Sequence, residues 1–493
     1  MKISKAIYQG LGWGGSGIII KVFLQIGFMS VMARLLSPSD FGVMALVGLS
    51  LKFFQYFAHS GVAPSLIQKE SVNNEDVSTS LFLTIVMATV LYSILFVFSP
   101  SISNYFEVEL ISRLLRLVGL NLYLMSFTGI CVALLQRRYK FKVVATSELI
   151  SYAFGYGVVG VVFALNGAGV WSLAYAQLGQ TTIMLLLAYA ELKFPIKIKF
   201  YSSNARELIS YGAGFTIIGF LEYLVSIFVP TIIGKFIGTT ASGNYDRGFL
   251  IAHLPIQQPN NLINSIFFPI LSSHRNSQEK YHLYFKASVL LLGLYTITYS
   301  VFLQLYGEFI VYLLLGEKWV GVVAILKLLA FTIVPAYITS SLMVMFNSSK
   351  NLGARLSVAL TSIIIYLAGI IYIYPNFQIT NLLYLVIFVE ITRISLTFWY
   401  VVYLYSVSFK YVLVMLTTIC VYYFVLRLQI GLFDINLVSG KAGYWLLLSF
   451  LKYGFVVITS LIFTVPLIRK LNIHISNEVV GDNKLLKLIR WVV

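Results

Sequence analysis

Apolar residues dominate this chain in stretches of about 20, the length that carries an α-helix across a hydrocarbon core. Short polar breaks separate them along nearly the whole sequence. The pattern predicts fourteen helices, at about 11–35, 41–60, 77–99, 112–135, 143–164, 170–190, 208–234, 244–270, 284–305, 321–346, 356–374, 379–402, 411–429 and 444–468. Several breaks carry turn chemistry: Ser37-Pro38-Ser39-Asp40 after the first helix, Asn166-Gly167-Ala168-Gly169 after the fifth and Pro375-Asn376 after the eleventh.

Composition excludes a soluble domain. Hydrophobic residues make up 59% of the 493 and charged residues only 11%, against about 25% charged in ordinary soluble chains. The expected fold is therefore all-α and polytopic in the membrane. The net charge of +17 would suggest a nucleic-acid partner in a soluble protein. Here the bases sit in short loops, and no nucleic acid is expected. Counted over the connecting segments, 21 Lys and Arg fall on one side of the predicted spans and three (Lys235, Lys318 and Lys441) on the other. The positive-inside rule then puts both termini in the cytoplasm. The first apolar stretch lacks a cleavage site and reads as a retained helix. Cys131 and Cys420 lie in apolar stretches, with no metal-ligand spacing anywhere, so neither a metal nor another cofactor is expected. Gly10-Leu11-Gly12-Trp13-Gly14-Gly15 matches a dinucleotide fingerprint only formally, because no strand precedes it. Near the other terminus, Lys484, Lys487 and Arg490 share one stripe of an apolar segment, the pattern of a helix lying on an anionic membrane surface.

The chain also repeats itself at an offset of 201. Arg34-Leu35-Leu36 with Gly42 corresponds to Lys235-Phe236-Ile237 with Gly243, Lys21 to Glu222, and Lys52 to His253. Six spans separate the copies, so both have one orientation and the axis relating them runs along the membrane normal. This predicts two pseudo-symmetric six-helix lobes, 1–200 and 201–405, two added helices in 406–470 and a cytoplasmic tail at 471–493.

Ionisable side chains at the bilayer centre cost roughly 2.5–3.5 kcal/mol on insertion scales, so they are expected to face a cavity or one another. Lys21, Lys52, Arg247 and His253 are the candidates for holding an anionic substrate, and Glu222, Asp246 and Glu390 for coupling transport to H+ or Na+. Glu390 and Arg393 are three apart and could pair on one helix face. Glu148, Lys286 and Lys327 lie near span ends, within reach of the interface. Pro230, Pro255 and Pro259 fall inside predicted helices and are candidate hinges. Each frees a backbone carbonyl that a neighbour or cavity water must satisfy.

Four segments carry a family resemblance. Arg34-Leu35-Leu36-Ser37-Pro38-Ser39-Asp40-Phe41-Gly42, Gly61-Val62-Ala63-Pro64-Ser65-Leu66-Ile67-Gln68-Lys69, Ile233-Gly234-Lys235-Phe236-Ile237-Gly238 and Leu315-Gly316-Glu317-Lys318-Trp319 resemble motifs of bacterial polysaccharide biosynthesis proteins. These are the Wzx-type flippases and the related colanic-acid and teichuronic-acid exporters. The resemblance implies the multidrug/oligosaccharidyl-lipid/polysaccharide exporter fold in the bacterial inner membrane. It also implies a substrate, a glycan on undecaprenyl diphosphate moved between leaflets by alternating access, with membrane lipids around it and a polymerase and glycosyltransferases as partners. The chain differs from the family pattern at Ser226–Pro230, which lacks an acid, and at Asp246-Arg247, where the base is displaced. A cation-coupled small-molecule exporter of the same fold and a membrane glycan polymerase are the alternatives. The short loops leave the latter little room for a catalytic site.

Overall fold

The computed structural model describes residues 20–58, 66, 69, 72–192, 199–201, 213–274, 277–432 and 452–460. The glycine motif at 10–15, most of the predicted fourteenth span and the basic stripe at 484–490 lie outside them. The described elements are all helical: α1 (20–35), α2 (Pro38–Ala58), α3 (Asn74–Phe106), α4 (Leu110–Val118), α5 (Asn121–Arg137), α6 (Phe141–Tyr152), a π-helical turn (Ala153–Gly160), α7 (Val161–Leu165), α8 (Val170–Leu192), α9 (Ala213–Phe236), α10 (Thr239–Ser273), α11 (Gln278–Leu314), α12 (Gly321–Ser349), α13 (Leu352–Ile373), α14 (Ile379–Tyr405), α15 (Phe409–Leu432) and α16 (452–460). Eight of these stretches are long and apolar enough to cross a membrane.

Local chemistry fixes where the helices start and stop. Pro38 opens α2, where its missing N–H costs nothing. Asp40 accepts from the Ser37 N–H at 2.9 Å while the Asp40 N–H reaches the Ser37 hydroxyl at 3.2 Å. Asn73 and Asp76 cap α3 in the same reciprocal way, at 2.8 and 3.0 Å. Asp76 is buried and holds Lys69 at 2.7 Å. Gly238 ends α9 at φ +105°, a backbone that a side chain would strain, and its N–H caps the Ile233 carbonyl at 3.0 Å.

The helices divide into two units. The first takes in Met1–Gly248 with Ile310–Val323 and Asn376–Ile379; the second holds Phe249–Phe309, Ala324–Pro375 and Thr380–Val493. In the first, Val47 and Leu51 of α2, Leu95 of α3, Leu114 and Leu115 of α4 and Ala174 of α8 form one core. A second core joins Leu81, Cys131, Leu135 and Ala188.

The surface is inverted relative to a water-soluble fold. On α13, Leu360, Ile364, Leu367 and Ile371 form an exposed apolar stripe at helical spacing, and Val90, Ile94 and Val97 do so on α3. Such stripes are unfavourable in water and form the lipid-facing wall of a membrane protein. The protein is a multi-pass membrane protein.

Candidate functional site

The start of α2 and the start of α10 meet in the first unit through backbone alone. A Cβ on Gly42 would lie 1.8 Å from the Thr239 carbonyl oxygen, and one on Gly243 would lie 1.9 Å from the Pro38 oxygen. Each glycine therefore points a Cα hydrogen at the other helix's carbonyl. Gly42 and Gly243 are the pair that the offset of 201 equates, so the contact has the two-fold character of the repeat. Ser39 Oγ and Thr239 Oγ1 add a hydrogen bond of 2.8 Å beside it. The segment 313–319 fastens α1 to the same end. Arg34 donates to the Leu313 carbonyl at 2.9 Å, Lys318 to the Arg34 carbonyl at 3.2 Å, and Trp319 Nε1 to the Ala33 carbonyl at 2.9 Å. Trp319 is fully buried, edge-on to Phe41 at 5.3 Å. Close by, Lys235 binds Glu107 at 2.7 Å and holds that exposed carboxyl below its usual range by hydrogen bond and charge.

Two ion pairs of the first unit involve residues singled out in the sequence. Arg247 lies over the Phe41 ring at 4.6 Å and grips its neighbour Asp246 through Nε at 3.0 Å and through Nη2. One turn before Tyr152 on α6, Glu148 accepts from Lys21 of α1 at 2.5 Å. The two side chains are 26% and 44% exposed. A half-exposed ion pair inside membrane-spanning helices must face water, since lipid would strip it of solvation. Gln25, one turn from Lys21, holds a buried Oε1 with no partner among the described residues. Lys52 is exposed on α2 and Glu222 half-buried on α9.

The second unit holds Pro255 and Pro259 of α10, whose helix runs on through both. Pro255 withdraws the N–H that would bind the Ile251 carbonyl, and the Tyr299 hydroxyl donates there at 2.8 Å. Pro259 does the same to the Pro255 carbonyl, which takes the Tyr295 hydroxyl at 3.1 Å. Two tyrosines one turn apart on α11 thus replace the two missing backbone donors. His253 stacks on Phe249, with centroids 4.0 Å apart, and sits 3.3 Å from the Tyr337 hydroxyl through Nδ1. On α14, Glu390 is 8% exposed and accepts from Arg393 at 2.5 Å, leaving Oε2 without a partner among the described residues. Pro230 sits inside α9, which also continues through it.

Residues 31–324, more than half of the chain, match the family model described as polysaccharide biosynthesis protein. The chain belongs to that family. Curated relatives of this polysaccharide biosynthesis protein include an uncharacterized membrane protein in the cps region of Klebsiella pneumoniae, 25% identical over 63% of this chain and 64% of its own length. Teichuronic acid biosynthesis protein TuaB of Bacillus subtilis (strain 168) is 21% identical over 66% and 68%. Lipopolysaccharide biosynthesis protein WzxC of Escherichia coli (strain K12) is 20% identical over 67% of each chain. The chain thus spans about two thirds of their length, and slightly less for the first. Among solved structures, the lipid II flippase MurJ in its inward closed conformation aligns with a TM-score of 0.70 at 14% identity, covering 94% of this chain and all of that one. An inward-facing multidrug resistance MATE family transporter aligns at 0.60, also at 14% identity, over 76% of this chain and 91% of its own. At these identities the likeness concerns the fold.

Of the residues singled out in the sequence, Lys21, Arg247 and Asp246 lie in the family member's first unit. The structure pairs Lys21 with Glu148 and Arg247 with Asp246, and it assigns His253, Glu390 and Arg393 to the second unit. Sequence reasoning missed Tyr152, Tyr156 and the proline-capping Tyr295 and Tyr299, because a tyrosine ring counts as apolar in the pattern of spans. The spacing of Tyr152 and Tyr156, four apart beside Gly155 and Gly157, was the available signal.

Proposed function

We propose that the protein carries undecaprenyl-diphosphate-linked oligosaccharide units from the cytoplasmic to the outer leaflet of the bacterial inner membrane, by alternating access, for surface polysaccharide synthesis. The carrying observation is the reciprocal Gly42–Gly243 closure in a unit that also holds the half-exposed Lys21–Glu148 pair. A backbone-to-backbone contact with the Ser39–Thr239 hydrogen bond and the Arg247–Phe41 contact beside it can part and re-form, as a gate must. In the proposed topology of fourteen crossings, with both termini cytoplasmic, this closure is the outer mouth. Two six-helix lobes, 1–200 and 201–405, then rock about it, with the helices in 406–470 added. The names of TuaB and WzxC, which concern teichuronic acid and lipopolysaccharide biosynthesis, support a cell-surface glycan as the cargo.

Lys21, Lys52 and Arg247 are the cations for the diphosphate. Lys21 and Arg247 are held by Glu148 and Asp246 until the phosphate arrives, so binding exchanges one anion for another and leaves no bare charge. His253, in the second unit, is a separate candidate for the anionic cargo. Glu222, Asp246 and Glu390 are the carboxylates for a coupling H+ or Na+, and Pro230, Pro255 and Pro259 the points of flexure. The polymerase and glycosyltransferases of the same polymer are the working partners.

The test is the sidedness of the lipid-linked glycan pool in a deletion strain. The reading predicts that glycan lipid accumulates on the cytoplasmic face and surface polymer vanishes. Single repeat units reaching the outer face unpolymerised would identify a polymerase instead. An undisturbed glycan pool with new sensitivity to organic cations would identify a drug exporter.

A further inference from the structure

The cations above account for a diphosphate but not for a sugar. The π-helical turn supplies what is missing. Its i→i+5 hydrogen bonding widens the helix and changes the register in which its side chains follow one another, and such turns recur at functional sites. Tyr152 and Tyr156 stack, with centroids 4.9 Å apart and planes 25° from parallel. Glycines press the turn flat against its neighbours. A Cβ on Gly155 would lie 2.6 Å from the Gln180 backbone of α8, and one on Gly157 would lie 2.4 Å from the Phe28 ring of α1. Phe28 extends the aromatic surface to Tyr152, 5.9 Å away.

The opposite face of the same segment is the lipid wall, with Phe154, Val158 and Val162 exposed. The tyrosines lie on the other side of the segment from these residues, against Phe28 of α1. Both rings are half-buried, and among the described residues neither hydroxyl has a hydrogen-bond partner. Inside a bilayer such hydroxyls need water or a ligand. Tyr295, Tyr299 and Tyr337 show what such a hydroxyl can do, each donating to a backbone carbonyl. Glu148 of the Lys21–Glu148 pair lies one turn before Tyr152 on the same helix.

We propose that Tyr152 and Tyr156, presented by the π-helical turn, form the surface that recognises a sugar ring of the transported glycan; this rests on the flippase reading above. A pyranose has an apolar C–H face that lies on an aromatic ring and a rim of hydroxyls that a phenol can bond. Tyrosine offers both in one side chain. The Lys21–Glu148 pair supplies a carboxylate for further sugar hydroxyls and a cation for the diphosphate that follows.

The experiment uses purified full-length protein in nanodiscs and two probes, the lipid-linked repeat unit extracted from the host strain and bare undecaprenyl diphosphate. Wild type is expected to bind the glycan-bearing lipid more tightly. Tyr152→Ala and Tyr156→Ala should each weaken that binding about tenfold and leave the affinity for the bare lipid unchanged, which also verifies folding. Tyr156→Phe, which keeps the ring, should retain most of the preference, and Phe154→Ala on the lipid face all of it. Alanine variants that keep the wild-type preference would overturn the platform while leaving the flippase reading intact. Wild type that binds neither lipid would overturn the flippase reading, and the platform with it.

Discussion

Alanine at Gly42 puts a methyl group 1.8 Å from the Thr239 carbonyl oxygen. An unstrained carbon contact needs roughly 3.5 Å, so α2 and α10 must separate by more than about 1.5 Å at that point. Neither partner can yield alone, because the offending atom is backbone. The separation removes two Cα–H···O contacts and stretches the Ser39–Thr239 hydrogen bond of 2.8 Å. Together these amount to roughly 2–3 kcal/mol. The closed population should therefore fall by about 30- to 150-fold relative to open states. Ser242, 4% exposed and adjacent to Gly243, is a suitable reporter. A Ser242→Cys probe in a background lacking Cys131 and Cys420 can be labelled with a membrane-impermeant maleimide. Gly42→Ala should raise its labelling rate by at least tenfold, and Gly243→Ala should do the same because the contact is reciprocal. Unchanged labelling in both variants would refute the assignment of this contact as the closure.

Tyr299→Phe should lower stability by about 1–3 kcal/mol by leaving the Ile251 carbonyl bare; in a Pro255→Ala background, where the restored N–H can take that carbonyl, thermal unfolding should show little further loss. Lys21→Ala should abolish surface glycan, and Lys21→Ala/Glu148→Ala should not restore it at normal protein level; recovery in the double variant would make the pair merely structural. The Glu107 carboxyl, depressed by Lys235, contributes stability that is present above its unfolded value near 4.5 and is lost as pH falls through the lower folded one. Glu107→Gln should remove that acid-side dependence from unfolding curves, an effect kept small by exposure to solvent.

Among the described residues the predicted helices coincide with the observed ones to within a few residues at most ends, with 112–135 divided into Leu110–Val118 and Asn121–Arg137, because apolar length is what the bilayer demands. The structure lengthens them where polar residues continue the helix beyond the apolar run: 284–305 becomes Gln278–Leu314. The offset of 201 was readable because both copies keep glycine at one point, and the structure supplies its reason in the Gly42–Gly243 contact. The motifs around Arg34 and Trp319 were recognisable as fingerprints, but nothing along the chain says that they touch. That Trp319 donates to Ala33 is a relation across 286 residues. Lys21 with Glu148 is hidden in the same way, since periodicity reports faces and not partners. The π-helical turn escaped because its apolar content equals that of an α-helix.

The central claim is that cargo passes only when the Ser39–Thr239 end can open. Cysteines at both positions, Ser39→Cys/Thr239→Cys, stand where their sulfurs can join. In proteoliposomes loaded with lipid-linked repeat units, oxidation of that variant should stop transfer between leaflets, and reductant should restore it. Undiminished transfer in fully crosslinked protein would contradict the account.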